Sequence, residues 1–172
     1  FDLPAGQLKL NSVGDIDLKS GTRIDLAGRD ILMSGQHNYA SAGELSLLSW
    51  HGNVSLQKDT VVKLSGADSH NQSLSNAGLL DVQAAEGLFN WNGSIEAWAA
   101  NTAKTGRLNL AIGTLATDSL TALNQKRLDA GFNEAFALSL KQGDLNLDKS
   151  DSIKANSLDL KAVNGRVNIA GL

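Results

Sequence analysis

The chain contains no cysteine. That excludes disulfide staples, thiol catalysis and cysteine-ligated metal centres. Proline occurs once, at Pro4, so no strand further along is broken by a residue that cannot donate to a ladder. Aromatic residues make up only 5% of the chain, which leaves aliphatic side chains to fill any core. Basic residues form no run: 15 Lys and Arg are interspersed with 18 Asp and Glu, for a formal net charge of −3. A nucleic-acid partner, which needs a concentrated basic surface, is not expected. No apolar run reaches the roughly 18 residues that a membrane-spanning helix requires. No signal peptide opens the chain, and Phe1-Asp2-Leu3-Pro4 reads as the interior of something longer.

Glycine and short apolar triplets are what the chain does have. Its 172 residues, 42% of them hydrophobic, suffice for one domain, read as a single segment over 1–172. Glycine returns at Gly14, Gly21, Gly28 and Gly35. Between these lie Ile16-Asp17-Leu18, Ile24-Asp25-Leu26 and Ile31-Leu32-Met33. Alternation over three residues fits a strand with one face buried, and glycine between strands permits a sharp bend. The triplet recurs at Leu8-Lys9-Leu10, Leu45-Ser46-Leu47, Val54-Ser55-Leu56, Val62-Lys63-Leu64 and Phe89-Asn90-Trp91. It continues at Leu108-Asn109-Leu110, Leu138-Ser139-Leu140, Leu145-Asn146-Leu147, Leu158-Asp159-Leu160 and Val167-Asn168-Ile169.

An antiparallel sandwich would alternate in the same way, but with longer strands and two-residue turns. Only Asn92-Gly93 and Asn164-Gly165 read as hairpin signals. The pattern therefore predicts an all-β fold, a right-handed parallel β-helix (β-solenoid). Coils of roughly 20–25 residues would give seven or eight turns and a rod ~35 Å long. Polar breaks at 36–42 and 66–77 are expected to bulge from one edge. A third break, 114–131, predicts a helical insertion near 118–130, with Asp118 as N-cap, Leu120, Leu123 and Ala130 on one face, and Gly131 as the stop.

Several stretches resemble the repeat region of large filamentous-haemagglutinin-like exoproteins. They are Gly87 to Ile112, Leu115 to Phe132 and Phe136 to Leu147, with Leu120-Thr121-Ala122-Leu123-Asn124, Leu128-Asp129-Ala130-Gly131-Phe132-Asn133-Glu134 and a late Val163-Asn164-Gly165-Arg166-Val167-Asn168-Ile169. The resemblance is best over 79–172. It implies a right-handed β-helical shaft segment of an adhesin, secreted or held at the surface of a Gram-negative bacterium. The implied partners are an outer-membrane transporter of two-partner secretion and a glycan or protein on a host or bacterial surface. Neither a toxin-like block nor the secretion domain of such proteins is evident, so an interior fragment, or a spacer within a contact-dependent inhibition exoprotein, is implied.

Candidate chemistry is sparse. His37, His51 and His70 lie far apart, with no ligand spacing between them. Gly14-Asp15 and Gly143-Asp144 lack the glycine doublets of a calcium-binding repeat, and turn capping explains their aspartates. Neither a phosphate loop nor a Ser-His-Asp order is present, and no catalytic residue, cofactor or metal is expected. The sequons at Asn53, Asn71 and Asn92 are read as chance matches. Asp17, Asp25, Asp81, Glu86 and Glu96 could line an outward strand face, as in glycan-cleaving proteins. The one ligand-binding candidate is Trp91, Glu96 and Trp98, two flat apolar rings beside a carboxylate, which would suit a sugar. An enzyme acting on polysaccharide is the alternative function; an adhesive, structural segment is the leading one.

Overall fold

A computed structural model of the chain describes residues 1–67, 75–100, 103–115, 120–147 and 152–170. Its tallest sheet joins six parallel strands in the order β1 (Gln7–Ser12), β6 (Glu44–Ser49), β9 (Leu79–Ala84), β12 (Arg107–Ile112), β13 (Ala135–Gln142) and β15 (Ser157–Asn164). Two three-stranded parallel sheets accompany it. One holds β2 (Ile16–Leu18), β7 (Val54–Leu56) and β10 (Phe89–Trp91); the other holds β3 (Arg23–Asp25), β8 (Val61–Lys63) and β11 (Ser94–Glu96). A parallel pair, β14 (Leu145–Leu147) and β16 (Val167–Ile169), forms a fourth sheet. The fifth is an antiparallel hairpin, β4 (Arg29–Met33) with β5 (Gln36–Ala40).

Register follows the triplets. In the six-stranded sheet Leu8, Leu45, Leu80, Leu108, Phe136 and Leu158 form one row, and Leu10, Leu47, Val82, Leu110, Leu138 and Leu160 a second. Leu45, Leu47, Leu80, Val82 and Leu108 are completely buried. Each such side chain contributes about 1.5–3 kcal/mol on leaving water. The intervening Lys9, Ser46, Asp81 and Asn109 face outward and keep the opposite face wet.

Close approach between successive strands explains the glycines that precede the tall sheet's strands. The amides of Glu44, Leu79 and Arg107 donate to the carbonyls of Gly6, Gly43 and Gly78. A Cβ on Gly43 would come within 1.7 Å of the Gly6 carbonyl oxygen, and one on Gly78 within 2.2 Å of that of Gly43. Corners are tied by side chains: Asp15 accepts from the Asn53 amide, Asn53 from Leu88, and Asp144 from Arg166. Buried hydroxyls act alike, Ser49 donating to Gly14 and Thr60 to Leu18. Each bond satisfies a backbone group that leaves the strand ladders at a corner.

The single right-handed β-helix expected from the sequence is overturned. Among the described residues the strands segregate into five separate sheets, mostly parallel, with no closed solenoid. The tallest sheet has six strands, not the seven or eight expected of uniform coils. Equivalent positions are 35 residues apart at Asn76–Ser41 and Asn90–Ser55, and 22 apart at Asn156–Glu134, Arg166–Asp144 and Asn168–Asn146. Two local choices cause this. Ile31-Leu32-Met33 turns back on Gln36–Ala40 instead of joining a parallel sheet. After β12 the chain forms helix α1 (Leu120–Asp129), so β14 starts a new sheet with β16 rather than extending β10. The supposed hairpin signals also fail: Asn92-Gly93 and Asn164-Gly165 turn corners between strands of different sheets.

Helix α1 lies within the span expected for it, and Leu120, Leu123 and Ala130 are buried. The expected N-cap, Asp118, lies outside the described residues, as do His70 and the sequon at Asn71. Gly131 closes the helix at φ +90°, with its amide bonded to Leu128 and that of Phe132 to Arg127, a Schellman motif. Arg127 anchors α1 to the stack. It is fully buried, donates to the carbonyls of Phe132 (2.6 Å) and Lys154 (2.9 Å), and lies 4.8 Å over the Phe136 ring. Burial lowers its pKa from the usual guanidinium value.

Candidate interaction surface

The three residues picked out for a sugar do not converge. Trp91 continues the inward row of Leu18 and Leu56, so the ring fills the core and meets Phe132 edge-on at 6.2 Å. Its indole N–H donates to the Gly93 carbonyl. Glu96 belongs to another sheet, on the outward row of Asp25 and Lys63. Trp98 lies beyond that strand, with its ring against Gly131, and is 48% exposed. A two-residue period sends Trp91 inward and Glu96 outward, and only Trp98 offers an open ring face.

Beside Trp91 a groove of about 400 Å³ runs between the β10–β11 corner and α1, bordered by Asn92, Ser94, Lys126 and Asp129. The Lys126 ammonium donates to the Trp91 carbonyl at 3.2 Å. The rim is polar, and the indole ring beneath it is sealed.

The outward carboxylates are likewise dispersed. Asp17 shares a row with Ser55 and Asn90, Asp25 with Lys63 and Glu96, and Asp81 with Ser46 and Asn109. Asp17 bonds to Lys19 and to Gln57, which hold its carboxyl below the usual carboxylate range, Lys19 foremost. Glu86 has the best-defined surroundings. His51 Nδ1 lies 2.8 Å from one carboxylate oxygen, and the Lys141 ammonium donates to the other at 3.3 Å. Those bonds, His51 first, lower the Glu86 pKa. A groove of about 310 Å³ opens here, lined also by Asn53 and Thr114. Sequence reasoning missed this trio. The signal available was the 35-residue interval between His51 and Glu86, the same as between Asn53 and Leu88.

A different surface stands out on the hairpin. Met33 pairs with Gln36 across Ser34-Gly35, whose φ values of +50° and +78° are those of a two-residue primed turn. Pairing puts Asp30, Leu32, His37 and Tyr39 on one face, and Ile31 and Met33 on the other. His37 Nδ1 lies 2.8 Å from Asp30, and its ring stacks on Tyr39 at 6.0 Å. Ile31, Leu32 and Met33 are 46%, 64% and 62% exposed. The core covers neither face of the tip. Three consecutive large aliphatics are thus uncovered, Ile31 and Met33 on one face and Leu32 on the other.

Among the described residues, no group of three or more His, Asp or Glu is placed to hold a metal ion, and no helix is long and apolar enough to cross a membrane. No family model, curated protein or solved structure matches the chain.

Proposed function

We propose that this chain is a structural and adhesive segment of a secreted exoprotein of the filamentous-haemagglutinin type, exported through an outer-membrane partner and presented at a bacterial surface. The stacked parallel sheets serve as scaffold, and the β4–β5 hairpin makes the contact with a host or bacterial surface. The carrying observation is that Ile31, Leu32 and Met33 are held out in water by a hairpin that takes no part in the core. An apolar tip flanked by Asp30, His37 and Tyr39 favours a protein over a bare glycan as its target, because it gains most by removing aliphatic area from water. The carbohydrate-active alternative lacks its platform, since Trp91 is sealed and Glu96 lies on another sheet.

The test is attachment of the purified, labelled chain to epithelial and bacterial cells. The triple substitution Ile31→Ser, Leu32→Ser, Met33→Ser is expected to reduce attachment at least tenfold with an unchanged far-ultraviolet spectrum. Equal attachment of the two proteins would remove the hairpin from the account and leave the segment a spacer.

A further inference from the structure

Three corners stack on one another, and one of them is short. Residues 19–22 lead from β2 to β3 and residues 57–60 from β7 to β8, whereas Asn92-Gly93 alone joins β10 to β11. Both shoulders of the short corner are tied to the one stacked against it. The Asn92 amide donates to the Leu56 carbonyl and the Ser94 amide to that of Thr60. The Gly93 amide between them has no acceptor among the described residues. Asn92 is exposed, and its side-chain amide likewise has no hydrogen-bond partner among those residues. The groove of about 400 Å³ opens directly on this pair. An unbound electrophilic carboxamide thus stands next to an unbound backbone nitrogen, in reach of water.

We propose that Asn92-Gly93 is a site of spontaneous covalent modification, at which the Asn92 side chain exchanges its amide for a carboxylate with water as the only co-reactant. The Gly93 nitrogen attacks Cγ of Asn92. The N–Cγ bond forms, the Cγ–Nδ2 bond breaks, and the Gly93 amide proton leaves with the departing nitrogen as ammonia. Water then opens the cyclic imide at one of its two carbonyls. Cleavage at the side-chain carbonyl gives aspartate, and cleavage at the main-chain carbonyl gives isoaspartate; nothing is oxidised or reduced. Glycine favours the attack because it has no Cβ to obstruct it and lets the main chain rotate into line. Other asparagines are held back. The Asn53 side chain accepts from the Leu88 amide and donates to Asp15, and the Val54 amide that would attack it is bonded to the Leu88 carbonyl. Asn164-Gly165 repeats the dipeptide, but Asn164 lies within β15, paired with Gln142, so the ladder fixes its main chain. The product places a carboxylate on a rim that Lys126 and Asp129 already border. Its isoaspartyl form also adds one methylene to the main chain of the shortest of the three corners. The inference does not depend on the adhesive reading.

The test keeps the folded chain in mildly alkaline buffer made with heavy-oxygen water, which labels every side chain that converts, and maps its peptides by tandem mass spectrometry. Asn92 is expected to convert before Asn164 and at least tenfold faster than Asn53, whose side chain must first give up its hydrogen bonds. Isoaspartate should accompany aspartate, because only the imide yields it. Asn92→Gln, whose longer side chain does not close the same ring, should lose the first phase of ammonia release. Position 92 is exposed, and circular dichroism verifies the fold of the variant. An Asn92 unchanged after weeks, earlier conversion at Asn53 or Asn164, aspartate without isoaspartate, or an Asn92→Gln variant that releases ammonia like the parent would overturn the proposal.

Discussion

Two adjacent heptads of this chain look alike and fold apart. Ile24-Asp25-Leu26 precedes Gly28, and Ile31-Leu32-Met33 precedes Gly35. Ile24 and Leu26 are at most 1% exposed, inside the stack. Ile31, Leu32 and Met33 stand in water. The glycines differ as well. A Cβ on Gly28 would come within 2.3 Å of the Ala40 carbonyl oxygen, whereas one on Gly35 would meet nothing, and Gly35 is there for its positive φ. The first triplet has a polar centre and so one wet face; the second has none. Ser34-Gly35 then closes a hairpin before a parallel neighbour can be reached. A repeat in sequence is thus a repeat in structure only where each strand keeps one face for water and its bend leads onward.

The widest separation between these regions is expected from truncating their aliphatics. Leu80→Ala, in the middle of the buried row, should cost about 2–5 kcal/mol. Leu32→Ala at the hairpin tip should stay within about 0.5 kcal/mol of the parent. Urea unfolding of both variants measures this. Equal losses would mean that the hairpin belongs to the core.

Glycine substitutions sharpen the contrast. Gly43→Ala forces a methyl group into the Gly6 backbone and is expected to cost about 1–3 kcal/mol or more. Gly35→Ala meets no atom and carries only the positive-φ penalty, about 1 kcal/mol. Thermal unfolding would order the two, and a larger loss at Gly35 would contradict the assignment of crowding to one site and conformation to the other.

The smallest effect concerns pH. Folding depresses the Glu86 pKa through His51 and Lys141, so its contribution to stability is present above the ordinary carboxylate range and is lost as pH falls through the folded value. Glu86 is exposed to solvent, and the effect is accordingly small. Denaturant midpoints between pH 7 and pH 3 should fall slightly less for Glu86→Gln than for the parent. Identical profiles would leave these bonds without energetic weight.

Much of the strand content was legible because the two-residue period is short-range and leaves its trace in every triplet. Leu45-Ser46-Leu47 and Leu108-Asn109-Leu110 are strands with their leucines inward. The stop at Gly131 was legible too, since a glycine after a helical face has few other uses. The division into five sheets was not. It depends on where Ile31-Leu32-Met33 turns back and on α1 taking the place of strands after β12, local departures that the repeated triplet does not announce. The three candidate ligand residues are dispersed for a related reason: Trp91, Glu96 and Trp98 are close in sequence, but a corner at Asn92-Gly93 puts the first in one sheet and the second in another. His51 and Glu86 meet because strands stack, and local spacing carries no sign of that.

Amide hydrogen exchange, read residue by residue, tests most directly the separation of a stacked scaffold from a projecting hairpin. Amides of β6, β9 and β12 should exchange only through global unfolding, and those of β4 and β5 orders of magnitude sooner. Hairpin amides as slow as those of β9 would contradict the account.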